Sequence, residues 1–357
     1  MKAKLILQSW EIFTGISFWY EANTSGETVF NTGMVGYPET LTDPSYCWQI
    51  LVCTYPLLGN YGIPDFEEKD ENGVKKYFES DKVHIRALIV SEYTENYNHF
   101  EAQSSLGDFL KSQKIPALTG IDTRALTQIL REKGCILGKI IFEEKQDTLT
   151  FEDPNLSLLS YEVCTKEIQV YGSGKKKICL VDMGIKNNMI RNFLKHDTTV
   201  IRVPGDYPFM DGSIEFDGLF ISNGPWDPKM YTKTIQEVQK AIEKNIKIFW
   251  ICLWNQILGL AMGAKTYKLS YGHRGQNQPV KDLLTGKCIL TSQNHSFAID
   301  ESSLPKNLKV WMKNINDGTN EGIYCSNKPM RSVQFHPESS PGPNDSMYLF
   351  EDFISSL

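Results

Sequence analysis

The chain has 357 residues, 41% hydrophobic and 22% charged, with a formal net charge of −6: the make-up of a soluble globular protein long enough for two domains. Its longest unbroken apolar run, 248–254, falls far short of the roughly 18 residues of a membrane span, and the opening Met1-Lys-Ala-Lys-Leu-Ile-Leu-Gln is too briefly apolar for a secretory signal. A cytoplasmic protein without a membrane partner is expected, and the absence of a basic patch interleaved with aromatics argues against nucleic acid. The 8 cysteines form no C-x-x-C pair and no metal-ligand spacing with histidine, so no metal is expected.

In chain order, residues 4–7, 28–31 and 50–55 read as strands between glycines and prolines, and 84–90 alternates apolar with polar residues. Two helices follow. The second is well delimited: Asp122 or Thr123 can cap it, Ala125, Leu126, Ile129 and Leu130 recur at helical spacing, Arg131 and Lys133 suit its last turn, and Gly134 ends it. Residues 136–142 close a first domain, 1–145, of mixed β/α character. Residues 146–176 turn polar and Ser- and Pro-containing, ending in Gly172-Ser-Gly-Lys-Lys-Lys177, and are expected to connect the domains. From there strand and helix alternate: 178–182, 199–203, 218–222 and 246–251 as strands, 187–194, 232–243 and 256–262 as helices. This predicts an α/β domain, 177–357, with a mainly parallel sheet flanked by helices.

Three segments of this half carry groups able to converge. In Ile246-Lys-Ile-Phe-Trp-Ile-Cys252-Leu-Trp-Asn-Gln256 an apolar strand runs through a cysteine into an apolar-periodic helix, the pattern of a nucleophile elbow. Phe220-Ile-Ser-Asn-Gly224-Pro-Trp-Asp-Pro228 is a strand ending in a turn-rich loop, where α/β sheets bind ligands. Val333-Gln-Phe-His336-Pro-Glu338 sets an imidazole two residues from a carboxylate. Cysteine, histidine and glutamate together supply a nucleophile, a base and a group that orients the base.

The second half resembles the class I glutamine amidotransferases, whose elbow reads G-I-C-L-G-[HN]-Q and whose acid-base pair lies in H-P-E. The first half is similar to the domain peculiar to the small, glutamine-hydrolysing subunit of carbamoyl phosphate synthetase: Phe30-Asn-Thr-Gly-Met-Val-Gly-Tyr37, Glu39-Thr-Leu-Thr-Asp-Pro-Ser-Tyr46 and Gly120-Ile-Asp-Thr-Arg-Ala-Leu-Thr127 carry the likeness. Gly272-His-Arg-Gly-Gln-Asn-Gln-Pro279, Gln293-Asn-His-Ser-Phe-Ala298 and Phe335-His-Pro-Glu-Ser-Ser-Pro-Gly-Pro343 extend it over nearly the whole chain. The resemblance implies Cys252 as nucleophile, His336 as acid-base and Glu338 as its orienting partner. It implies that L-glutamine is held by Ser45, Gly224, position 226 (Trp226), Leu253, Gln256, Asn294, Ser296 and Phe297, with Ser45 coming from the first domain. It further implies ammonia delivery to a large ATP-dependent subunit, in a heterodimer making carbamoyl phosphate for pyrimidine or arginine synthesis. No cofactor is expected in this chain; ATP and magnesium belong to the large subunit.

Trp226, Trp250 and Trp254 stand where that family has glycine, and Trp10, Trp19 and Trp48 fall where relatives commonly have it. An indole buries roughly 150–250 Å², and overfilling a packed site costs about 1–3 kcal/mol, so indoles there would fill the glutamine pocket. Two explanations follow from the sequence: a catalytically dead subunit kept for structure or regulation, or UGA codons that specify glycine read as tryptophan. Selective replacement of glycine by tryptophan, with Cys252, His336, Glu338, Gln256 and Asn294 intact, fits the second.

Overall fold

The computed structural model describes residues 1–156, 162–225 and 227–357, with the backbone alone at 250 and 254. The chain divides into two compact units, Met1–Ser157 and Leu158–Leu357.

The strands of the first unit are β1 (Lys2–Leu7), β2 (Ile12–Ser17), β3 (Thr24–Asn31), β4 (Gln49–Cys53), β5 (Leu57–Leu58), β6 (Ala87–Ile89), β7 (Glu92–Tyr93), β8 (Ala117–Thr119) and β9 (Ile136–Phe142); its helices are α1 (Tyr37–Thr42), α2 (Leu106–Ser112) and α3 (Thr123–Lys133). Strands β1-β2-β8-β6-β4-β3-β9 close into a barrel, and β5 pairs with β7 apart from it. Period-2 alternation decides which side chains fill it: Ala3, Leu5 and Leu7 are buried while Lys2 and Lys4 face out, and Leu5 pairs with Ile140 where β1 meets β9 to complete the closure. Strands β4 and β6 are buried on both faces, which is why they read as continuous apolar runs. Helix α3 has the expected ends, with Asp122 accepting from the Ala125 amide at 2.9 Å and Gly134 at φ 92°. Ser45 lies in a single 3₁₀ turn, Pro44–Tyr46, its amide donating to Asp43 Oδ1 at 2.9 Å.

The second unit contains β10 (Gln169–Tyr171), β11 (Lys176–Asp182), β12 (Thr198–Pro204), β13 (Gly218–Ile221), β14 (Lys247–Ile251), β15 (Lys265–Asp282), β16 (Cys288–Asp300), β17 (Leu308–Asn314), β18 (Asn320–Cys325) and β19 (Met330–Val333), with α4 (Asn187–Leu194), α5 (Thr232–Glu243), α6 (Leu253–Ala261) and α7 (Tyr348–Ser356). These strands form one 10-stranded sheet, β10-β12-β11-β13-β14-β19-β18-β17-β15-β16. Two details go beyond the sequence expectation. The sheet is parallel from β12 to β19 through β11, β13 and β14, but β18, β17, β15 and β16 extend it antiparallel. The stretch 146–176 is not purely a connection, because Gln169–Tyr171 pairs antiparallel with β12 as an edge strand; residues 157–161 of that stretch lie outside the described ones.

Alternation along the parallel strands sorts side chains to two layers. Cys179, Val181, Leu219, Ile221 and Ile248 pack with Val238, Ala241 and Ile242 of α5 and Leu253, Ile257 and Leu258 of α6. On the other face, Phe220 and Phe249 meet Phe193 of α4 and Phe350 and Phe353 of α7, with ring centroids 4.7 Å apart for Phe193 and Phe220 and 5.7 Å for Phe249 and Phe353. Helices on both faces leave the carboxyl ends of the parallel strands as the open edge, where α/β sheets place their sites.

Candidate active site

Strand β14 ends at Ile251 and α6 begins at Leu253, so Cys252 alone makes the turn. It does so at φ 60° and ψ −111°, a conformation that residues with a side chain rarely adopt, and its amide donates to the Val333 carbonyl of β19 at 2.8 Å. This is the strained strand-to-helix elbow that the apolar pattern predicts, with the sulfur at the N-terminus of α6. The side chain is 2% exposed. Its sulfur lies 3.6 Å from the Asn294 carbonyl and 3.8 Å from Gln334 Nε2.

The loop after β19 brings the imidazole to the same place. His336 donates its amide to the Ser292 carbonyl at 2.8 Å, tying the loop to β16. Its Nδ1 lies 2.6 Å from Glu338 Oε1, and both side chains are buried. His336 Nε2 has no hydrogen bond of regular geometry among the described residues, while the Cys252 sulfur lies within side-chain reach of the ring. Burial disfavours the charged ring, but the Glu338 carboxylate and then the Cys252 sulfur outweigh it and push the imidazole up to about 10. Burial likewise works against an ionised Glu338, yet Lys186 first and His336 second bring its carboxyl below the usual range.

Lys186 is the residue of this site that sequence reasoning missed. It precedes α4, is 3% exposed, and its Nζ lies 3.1 Å from Glu338 Oε1. The same ammonium donates to the Ser339 carbonyl, and Asn188 Nδ2 donates to the Glu338 carbonyl. A buried lysine needs a partner, but Met183-Gly-Ile-Lys186 carries no spacing that names a glutamate after β19 as that partner.

The residues expected to hold glutamine are partly gathered here. A β-carbon on Gly224 would lie 2.5 Å from the Met183 carbonyl and 3.1 Å from Leu253 Cδ2, so only glycine lets this loop close on the elbow. Gln256 donates from Nε2 to the Phe297 carbonyl at 2.7 Å and to Gln334 Oε1 at 3.0 Å, leaving its buried Oε1 without a partner among the described residues. Asn294 and Phe297 therefore touch the elbow network through their carbonyls. Ser296 is on the same strand, but its hydroxyl takes a hydrogen bond from Arg274. Ser45 belongs to the first unit. Trp226 and the side chains of Trp250 and Trp254 lie outside the described residues.

Among the described residues, His273, His295 and Glu321 bring potential metal-ligating atoms within 4.8 Å of one another. The central Glu321 Oε1, however, is already engaged by His273 Nδ1 at 3.2 Å and Asn314 Nδ2 at 3.3 Å. No helix among the described residues is long and apolar enough to cross a membrane.

Comparison with known proteins follows the same division. Residues 5–140 match the carbamoyl-phosphate synthase small chain, CPSase domain, and residues 179–356 match glutamine amidotransferase class-I. The chain is 52% identical over 356 residues to the multifunctional protein CAD of Squalus acanthias, covering 99% of this chain and 16% of that protein. It is 46% identical over 358 residues to the mitochondrial carbamoyl-phosphate synthase [ammonia] of Mus musculus, covering 99% of this chain and 24% of that one. A solved glutamine amidotransferase from Thermotoga maritima superposes with a TM-score of 0.37 at 16% identity, over 46% of this chain and 77% of its own. The chain thus spans about a sixth to a quarter of the curated relatives it matches. An elbow cysteine beside a carboxylate-braced imidazole, preceded by a CPSase small-chain domain, identifies this chain as a member of the carbamoyl-phosphate synthase small-chain family with a class I glutamine amidotransferase domain.

Proposed function

We propose that this chain hydrolyses L-glutamine and delivers the ammonia to a large ATP-dependent synthetase module, present as a separate subunit or on the same polypeptide, which makes carbamoyl phosphate. The carrying observation is the buried Cys252 at positive φ, beside a His336 ring whose other nitrogen is 2.6 Å from Glu338. The Cys252 thiolate attacks the carboxamide carbon, and backbone amides near Gly224 and Leu253 receive the oxyanion. The C–N bond breaks as the His336 imidazolium protonates the leaving ammonia. A water deprotonated by the same ring then cleaves the thioester, releasing glutamate and regenerating the thiolate. Glu338 keeps the ring oriented throughout and stabilises the imidazolium each time it forms. Loss of one oxyanion donor would cost on the order of 100-fold in rate. Glutamine contacts are assigned to Ser45, Gly224, position 226, Leu253, Gln256, Asn294, Ser296 and Phe297; Gln256 Oε1, without a partner among the described residues, is available to accept from the substrate. Cytoplasmic location is part of the same reading.

A second reading is a module that has lost glutamine hydrolysis. Tryptophan at 226, 250 and 254 favours it, and a relative named for ammonia is 46% identical. A further observation favours glycine at the tryptophan positions instead. Trp10, Trp19 and Trp48 have φ of 76°, 107° and 65°, the left-handed region that glycine enters freely and other residues enter at roughly 1–2 kcal/mol. Bulky side chains at three such positions are what glycine codons read as tryptophan would produce. The test compares ammonia release from glutamine by the chain as written with that by a form carrying Trp226→Gly, Trp250→Gly and Trp254→Gly. Release by the glycine form alone is the expected result; release by neither would establish the dead module. Sequencing the gene decides the decoding separately, because UGG at those codons excludes it.

A further inference from the structure

A second buried charged cluster lies in this unit, built on β15, β16 and β18. We propose that His273, Glu321 and Asp317 form a proton-held brace that positions residues 294–297 of β16, and that this brace sets glutamine affinity without entering the chemistry. The proposal rests on the glutaminase reading above.

The geometry fixes the proton count. His273 Nε2 lies 2.8 Å from Asp317 Oδ2 and Nδ1 lies 3.2 Å from Glu321 Oε1. Ionised carboxylates only accept, and a neutral imidazole has one N–H, so with both carboxylates ionised the two bonds exist together when the ring is imidazolium; burial raises the Glu321 carboxyl above its ordinary value, and the bond and charge of His273 oppose that rise. Glu321 is fully buried and Asp317 is half-exposed, so the inner bond is the one shielded from water. Although burial opposes the charge, Glu321 and Asp317 raise the His273 ring above its ordinary value.

The next histidine responds oppositely. His295 pairs with His273 across β15 and β16, the rings meeting edge-on with centroids 4.9 Å apart. Burial first, and then the positive His273, hold His295 well below its ordinary value and hence neutral. A neutral ring has one N–H, and its Nδ1 lies 2.8 Å from the Phe297 carbonyl. That carbonyl also accepts from Gln256, which reaches Gln334 and through it the Cys252 sulfur. Arg274, beside His273 on β15, pairs with Asn294 and donates to Ser296 Oγ. The cluster thus meets β16 at the residues assigned to glutamine.

The charged and titratable groups around His273 are Glu321 on β18, Asp317 in the turn before it, His295 on β16 and Arg274 on its own strand; Tyr267 feels Asp317, and His336 acts on His295. Glu321→Gln keeps the shape of the inner partner and removes its charge. Histidine 273 then loses its buried counter-charge and deprotonates through the neutral range.

The experiment measures glutaminase kinetics from pH 6 to 9 on the full chain carrying the glycine substitutions, with Glu321→Gln and His273→Arg variants. The expected parent KM for glutamine is flat. Glu321→Gln should raise KM about tenfold above pH 7.5 and restore it toward pH 6, with kcat within about twofold; His273→Arg, which keeps a cation, should retain most of the parent affinity. A KM that stays within twofold of the parent at every pH, or a parallel fall in kcat and kcat/KM without pH dependence, overturns the brace. So does loss of parent affinity on treatment with a chelator, which would make the cluster a cation site. If the parent releases no ammonia, the functional reading fails, and ¹⁵N-histidine NMR decides the brace by itself: both nitrogens of His273 protonated at pH 8 support it, and a neutral ring overturns it.

Discussion

Three buried ionisable side chains, Lys186, Glu338 and His336, hold one another's charges within a region that excludes water. Removing one partner from such a set costs about 3–5 kcal/mol, since it leaves an uncompensated buried charge. Glu338→Gln should therefore destabilise the protein by about 3 kcal/mol near neutral pH. The sign of the pH dependence follows from the shifts. His336 is raised to about 10, so its contribution is full below its unfolded value near 6.5 and is lost as pH rises through about 10. Glu338 is lowered, so its contribution is present above its unfolded value near 4.5 and is lost as pH falls. Denaturant midpoints of parent and Glu338→Gln should differ most between about pH 5 and 6.5 and draw closer toward pH 10 as the His336 share is lost, the Lys186 pair keeping a residual difference. Lys186→Met should leave Glu338 easier to protonate, moving the acid limb of kcat/KM for glutamine to higher pH; an unmoved limb would show that Lys186 is only a packing element. The placement of Cys252, His336 and Glu338 was legible in the sequence because it is local: one turn after an apolar strand, and two side chains separated by a proline. Lys186 was not, because its partner lies beyond several strands and no periodicity links them.

The elements show the same contrast. The parallel strands β11, β13 and β14 are continuous apolar runs and are readable as such. The long antiparallel pair β15 and β16 escaped notice because its buried stretch is polar. Thr291, Ser292, Gln293, Asn294 and His295 lie inside together, with hydrogen bonds in place of apolar contacts, which erases the alternation that marks a strand. The barrel of the first unit was also illegible as a barrel, since its closure depends on β1 meeting β9 from opposite ends of the domain. At this scale the left-handed tryptophans give a stability prediction. Trp10→Gly and Trp48→Gly should each raise the free energy of unfolding by about 1 kcal/mol, because glycine removes the β-carbon conflict at φ 76° and 65°. Such a gain is the reverse of the usual cost of inserting glycine, so a loss at both positions would count against glycine as the native residue.

Over the whole molecule, the two units carry different parts of one assignment. The class I glutamine amidotransferase match accords with an elbow, an imidazole and a carboxylate, and the CPSase small-chain match is the ground for the synthesis proposed above for the ammonia. The chain matches a small share of the length of these longer relatives, and under the function proposed above its product is consumed by a synthetase module on the same polypeptide or on a partner. Mixing the chain with a glutamine-free synthetase module should thus make carbamoyl phosphate depend on glutamine, with the dependence abolished by Cys252→Ala. The most direct measurement is mass spectrometry of the protein quenched in acid during glutamine turnover, using the form with glycine at 226, 250 and 254. A γ-glutamyl group on the peptide containing Cys252, absent from Cys252→Ser and accumulating when His336→Asn slows hydrolysis of the thioester, is the result this account predicts. Undiminished ammonia release by Cys252→Ser, or acylation at another cysteine, would contradict it.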